Sequence, residues 1–127
     1  MPDDLLKQWI SAINRHDVSA LRALMPADHL FVDSLGNQVR GATSMEVGWR
    51  GYFAMCPDYW IRADHVASDG DMVLAAGEAG GTIDGKSWKI PAAWMALVRD
   101  GQVAGWRVFA DNKPVNEILT PEGRGSN

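Results

Sequence analysis

Two aspartates stand where an acid or a base would be useful. Asp33 ends the apolar stretch "HLFVD" and Asp111 ends "GWRVFAD", so each places a carboxylate at the tip of a strand-like run. Burying an unpaired charge is costly, and a carboxyl at the margin of an apolar surface is a candidate for proton transfer. If the two share one hollow they cannot both ionise cheaply, and one holds a proton near neutral pH. A plainer role is open to each. Asp33 can bond the amides of the turn at Gly36, while Asp111 can cap the segment "NKPVNEIL" or pair with Arg107.

Around these carboxylates the sequence supplies rings. The chain has six tryptophans among 127 residues. Trp9, Trp49, Trp88 and Trp94, with Phe31, Tyr52, Ile90 and Phe109, are the expected lining of a ligand cavity, although an aromatic stripe also serves as ordinary core. Arg107 has two readings: a cation–π partner of Trp94, or a group that holds a ligand carboxylate or enolate. The three histidines are far apart and show no ligand spacing, so no metal is expected. Cys56 is the only cysteine, which excludes an internal disulfide or a thiolate cage.

The elements that must position these groups follow from periodicity. Leu5, Leu6, Trp9, Ile10 and Ile13 make an apolar stripe behind Asp3 and Asp4, predicting a helix to about Asn14. Asp17 then caps a short second helix that Pro26 stops. "HLFVDSLGNQV" reads as a strand with a hairpin return at Gly36. A third helix follows from the Thr43 to Glu46 capping box to Pro57, with Gly48 and Gly51 taken as points of close backbone packing. Asp-Gly recurs at 69–70, 84–85 and 100–101, predicting four long antiparallel strands.

A two-residue turn at Asp84-Gly85 sets Gly81 by Trp88, Ala79 by Ile90, Gly77 by Ala92 and Ala75 by Trp94. The same turn at Asp100-Gly101 sets Trp94 by Arg107, Ala92 by Phe109 and Ile90 by Asp111. One face then carries large rings among small residues, which leaves room for a ligand under the helices. The opposite face of the last hairpin carries Met95, Leu97, Trp106 and Val108, and an apolar patch of that kind predicts a homodimer through the sheet. For the preceding strand, a three-residue Ser-Asp-Gly turn with a bulge would turn Tyr59, Ile61 and Ala63 inward.

The totals bound the rest. The chain is one domain by length, read as residues 1–122 with a flexible tail at 123–127. A formal charge of −4 without a basic cluster argues against nucleic acid and anionic membrane as partners. The acidic start and the absence of a long apolar run give a cytoplasmic expectation.

The order of these features is itself informative: helix, "INRHD" turn, short helix, strand ending in aspartate, capped helix ending in "PDY", and a meander closing with "GWRVFAD". It resembles the nuclear transport factor 2-like superfamily in its SnoaL-like branch, from about Asp4 to Leu119. The resemblance implies an α+β fold, a cone-like α+β barrel whose curved, mainly antiparallel sheet wraps around three N-terminal helices. It also implies cofactor-free acid/base chemistry on a small hydrophobic carbonyl compound, as an isomerase, cyclase or dehydratase. Members of the same fold also serve as noncatalytic binding or dimerisation modules. Asp33 falls where ketosteroid isomerase has its proton-shuttling aspartate, and Asp111 resembles the closing aspartate of a similar stretch in limonene epoxide hydrolase. Ala75 and Gly77 replace that hydrolase's arginine and aspartate, so its triad is absent. Trp9 stands near the isomerase's oxyanion-holding tyrosine, and an apolar residue near Trp94 replaces its second donor.

Overall fold

In the computed structural model, which describes residues 2–111 and 113–119, ten elements follow the order of the chain. Helix α1 spans Pro2–Asn14, α2 Val18–Ala23 and α3 Ala42–Met55. The strands are β1 Leu30–Val32, β2 Gln38–Arg40, β3 Trp60–Asp69, β4 Met72–Ile83, β5 Lys86–Arg99 and β6 Gln102–Ala110. A fourth helix, α4, Lys113–Leu119, follows β6, and its Val115 joins the core. The predicted tail at 123–127 lies outside the described residues.

The strands form one sheet in the order β2-β1-β6-β5-β4-β3, antiparallel except where β1 runs parallel to β6. The α+β architecture matches expectation. The barrel does not close, because β2 and β3 remain as free edges. Helices α1 and α3 lay Leu5, Trp9, Ile13, Met45, Trp49 and Phe53 on the concave face, where they meet Ala75, Trp88, Ile90 and Trp94. Asp17 caps α2 as its sequence suggests, accepting from the Ala20 amide at 3.0 Å. The Thr43 capping box does not form. The N-cap of α3 is Gly41, with no side-chain bond. Gly48 and Gly51 are not close-packed either, since a Cβ on Gly48 would make ordinary contacts and one on Gly51 would meet nothing within 4 Å.

Register decides what the helices cover. The β4–β5 hairpin pairs Gly81 with Trp88 and Ala75 with Trp94, as the turn at Asp84-Gly85 requires. The β5–β6 hairpin does not keep the expected register, because Ala104 of β6 bulges out between the pairs Val98–Val103 and Leu97–Gly105. Arg107 therefore pairs with Met95 and Phe109 with Ala93, which turns both outward, while Trp106 turns in beneath the helices. A one-residue slip moves every side chain to the other face. In β3 the inward residues are Tyr59, Ile61 and Ala63 as expected, by a different device: Gly70 and Asp71 form the turn, and the bulge lies at Asp64.

At two of the small residues of the concave face the space of a side chain is already occupied. A Cβ on Gly81 would overlap Cys56 Sγ, and one on Gly77 would overlap the Arg62 carbonyl at the β3 bulge. These glycines let neighbouring atoms approach the sheet rather than leaving space for a guest. Gly81→Ala should lower stability by about 1–3 kcal/mol through overpacking. Combined with Cys56→Ala, which removes the sulfur, it should recover part of that loss in urea unfolding. Equal losses with and without Cys56 would contradict this account.

Candidate functional site

Asp33 lies one residue past β1, on the face of Phe31 and His29. Its Oδ1 accepts from the Leu35 and Asn37 amides at 2.9 Å each, and Oδ2 accepts from the Asn37 side chain at 3.1 Å. Partial burial pushes the carboxyl upward, but the donors of Asn37, Leu35 and Gly36 outweigh it and hold the group below its ordinary value. Asp33 is thus an ionised turn cap, not a base raised by desolvation. Asp111 is exposed and accepts from the Lys113 amide at 3.0 Å at the entry to α4. Both carboxylates make the local bonds open to them from sequence, and each is bonded within its own turn.

The rings behave differently from the carboxylates. Trp9, Trp49, Trp88, Ile90 and Trp94 are buried on the concave face, with Phe31 and Tyr52 packed at its margin. Trp106, expected outside, stacks on Trp94 at 6.2 Å between ring centroids and touches Trp9 at 5.8 Å. The rings fill the bowl against one another. Arg107 and Phe109 leave the predicted set, because the β5–β6 bulge turns them to the convex face. There the guanidinium lies 5.0 Å above the Phe109 ring, in place of the expected Trp94 contact.

His29 is the polar group that sequence reasoning undervalued. It is fully buried beside Trp9, 5.7 Å between rings. Its Nδ1 lies 2.6 Å from the Val103 carbonyl. A carbonyl only accepts, so Nδ1 carries the proton and Nε2 presents a lone pair. Among the described residues, that Nε2 and the indole N–H groups of Trp9 and Trp49 have no hydrogen-bond partner. Burial holds the imidazole below its usual value, against the opposing pull of Val103 and Asp28.

Open space lies elsewhere. A cleft of about 590 Å³ separates the flank of α1 from β3, with Leu6, Ile10, Ile61, Ala63 and Val66 as its apolar surface. Its polar groups are Asp3, Lys7, Ser11, Asn14, Arg15 and Arg62, none of which was a predicted site residue. The sequence signal was present in retrospect: Lys7, Ser11 and Asn14 recur at helical spacing beside the buried stripe. Among the described residues, no group of three His, Cys, Asp or Glu is placed to hold a metal, and no helix is long and apolar enough to cross a membrane.

Two measurements test this electrostatic picture. Asp33→Ala should lower the melting temperature by a few degrees, since it removes the acceptor for three exposed donors, each contributing at most about 1 kcal/mol net of water. An unchanged melting temperature would remove the capping role. For His29, the unfolded chain takes up a proton near the ordinary value of 6.5 while the folded chain does not. Stability should therefore fall as pH drops from 7 to 5. His29→Phe should be less stable throughout, with the Val103 carbonyl unpaired, and should lose that slope. Parallel pH curves for the two proteins would contradict the assignment.

The comparisons with known proteins agree with this geometry. The SnoaL-like domain family matches residues 6–106. A protein described as a SnoaL-like polyketide cyclase from Shewanella denitrificans OS-217 superposes with a TM-score of 0.83 at 15% identity, covering 95% of this chain and 98% of that one. An LEH-like epoxide hydrolase of M. tuberculosis gives 0.78 at 15% identity, with 94% and 95% covered. A ketosteroid isomerase-like fold from Catenulispora acidiphila DSM 44928, in complex with trimethylamine, gives 0.76 at 21% identity, with 83% of each chain covered. At these identities the structures share the fold. A search of curated proteins gives no match. With the family matched over most of its length and the same architecture around it, the chain belongs to the SnoaL-like domain family.

Proposed function

We propose that this SnoaL-like domain is a noncatalytic binder of small, mostly apolar molecules that pairs with a second copy through the convex face of its sheet. The observation that carries the reading is the state of Asp33. A carboxylate held ionised by three donors within its own turn is a poor proton carrier, and Asp111 is similarly occupied at the start of α4. The packed indoles support the same reading. A cytoplasmic setting goes with it, in keeping with the buried free thiol of Cys56.

The dimer reading rests on the convex face. Leu74, Leu97 and Phe109 stand there 49%, 44% and 45% exposed, on neighbouring strands β4, β5 and β6. The expected patch keeps Met95 and Leu97 but loses Trp106 and Val108, which the register shift turns towards the core. Sedimentation of the protein at several concentrations should give a dimer, and Leu97→Glu with Phe109→Glu should give a folded monomer. A wild-type monomer at high concentration would remove this part of the reading.

A second reading is favoured by one observation. Among the described residues, the indole donors of Trp9 and Trp49 and the imidazole acceptor of His29 lie unpartnered on neighbouring rings inside the bowl, a set able to hold a carbonyl oxygen and accept a proton. It would make the protein a cofactor-free isomerase, cyclase or dehydratase of a hydrophobic carbonyl compound, with the helical layer parting to admit it. Incubation with cyclohexanone in deuterium oxide separates the two. The noncatalytic reading expects α-hydrogen exchange at the buffer rate, and faster exchange that His29→Phe abolishes would overturn it.

A further inference from the structure

We infer that the cleft between α1 and β3 is a binding site for an amphipathic carboxylate, a molecule with an acyl-like body and one anionic end. The inference deepens the binding function proposed above by naming the site and the ligand class, and it lies on a different surface from the indole bowl.

The cleft is built by a clamp at one end. Asn14, the last residue of α1, donates from Nδ2 to the Ile61 carbonyl at 3.0 Å and accepts from the Ile61 amide at 2.8 Å. Its side-chain amide thereby pairs with the β3 edge as another strand would. From this point α1 runs back towards Asp3 while β3 runs on through its bulge to Val66, and the cleft follows both. Eleven helical steps separate Asn14 from Asp3, so the cleft is roughly 16 Å long at about 1.5 Å per residue. A medium-length acyl chain spans that distance. Its volume of about 590 Å³ falls within the usual range for small-molecule sites.

The walls and rim differ in character. Leu6 and Ile61 form a buried floor, and Ile10, Ala63 and Val66 extend it towards solvent. The rim is cationic in a protein whose formal charge is −4. Arg62 is committed, bonding Asp64 at 2.7 Å and Glu78 at 2.7 Å. Lys7 and Arg15 are not. Lys7 makes no ion pair among the described residues, and Arg15 uses only its Nε, towards the Ser11 carbonyl at 3.3 Å. Two uncommitted cations over an apolar trough, with Asp3 the acidic residue lining it among the described residues, complement an anionic head on an apolar body. A carboxylate suits the guanidinium of Arg15 in particular, whose two terminal nitrogens can meet both of its oxygens.

Calorimetric titration with sodium decanoate, below its micellar concentration and at low salt, tests the site against 1-decanol as the uncharged control. Wild type should bind decanoate saturably and at least tenfold more tightly than decanol. The double variant Lys7→Gln/Arg15→Gln, at exposed positions, should lose that tenfold preference while keeping its melting temperature. Ala63→Phe, which narrows the trough, should weaken both probes. The convex-face variants Leu97→Glu and Phe109→Glu should bind as wild type does. Absence of saturable decanoate binding, or binding that survives the loss of both cations, would overturn the assignment. Faster ketone exchange speaks to the bowl instead, so failure of the noncatalytic reading and failure of this site give different results.

Discussion

The extra residue of β6, Ala104, opposite Leu97 and Val98, is the constraint on which the arrangement of this molecule depends. Side chains along a strand alternate between faces, so one inserted residue exchanges the contents of β6 for everything beyond it. Trp106 enters the core and stacks on Trp94, and Arg107 and Phe109 leave for the convex face. The exchange settles two properties together. The bowl receives another large ring packed beside Trp9, and the convex face receives an arginine–aromatic pair within its apolar patch.

With the interior filled, glycine at 77 and 81 has a packing role. Each admits an atom that a methyl group would exclude, the Arg62 carbonyl in one case and the Cys56 sulfur in the other. Protein interiors tolerate few voids, and this core meets that requirement by bringing backbone and sulfur to the sheet instead of enlarging side chains. The unmet demand is polar. Among the described residues, the indole nitrogens of Trp9 and Trp49 and His29 Nε2 lie within the packed region without partners, while the Val103 carbonyl fixes the tautomer that leaves Nε2 bare. Most buried polar atoms find a partner, so this cluster is where the core departs furthest from ordinary construction.

Much of the fold was legible because local chemistry specified it. Asp84-Gly85 adopts the paired left-handed conformation of a tight hairpin turn, and the register of β4 against β5 follows from it residue for residue. Asp17, Pro26 and the stripe of α1 were equally local. The β5–β6 register was less legible, since Asp100-Gly101 makes the same turn and the bulge comes two residues after it in space. A hint existed: the simple register put Arg107 inside and Trp106 outside, the reverse of their burial preferences. The candidate site was harder still. Asp33 and Asp111 invite a catalytic reading by residue type, yet which donors reach them depends on Asn37 and on the entry to α4. The α1–β3 cleft depends on a helix and a strand 47 residues apart, joined by one asparagine. No local pattern announces that.

That asparagine also bears on the protein's solubility. An edge strand offers a row of unpaired amides and carbonyls to any other extended chain, and β3 is such an edge. Asn14 occupies both backbone groups of Ile61, and the charged pair Arg62 and Asp64 follows at once with a bulge that breaks the row. The first helix thus acts as a guard rail for the sheet. Fraying of its last turn would leave the amide and carbonyl of Ile61 open to the backbone of a neighbouring molecule.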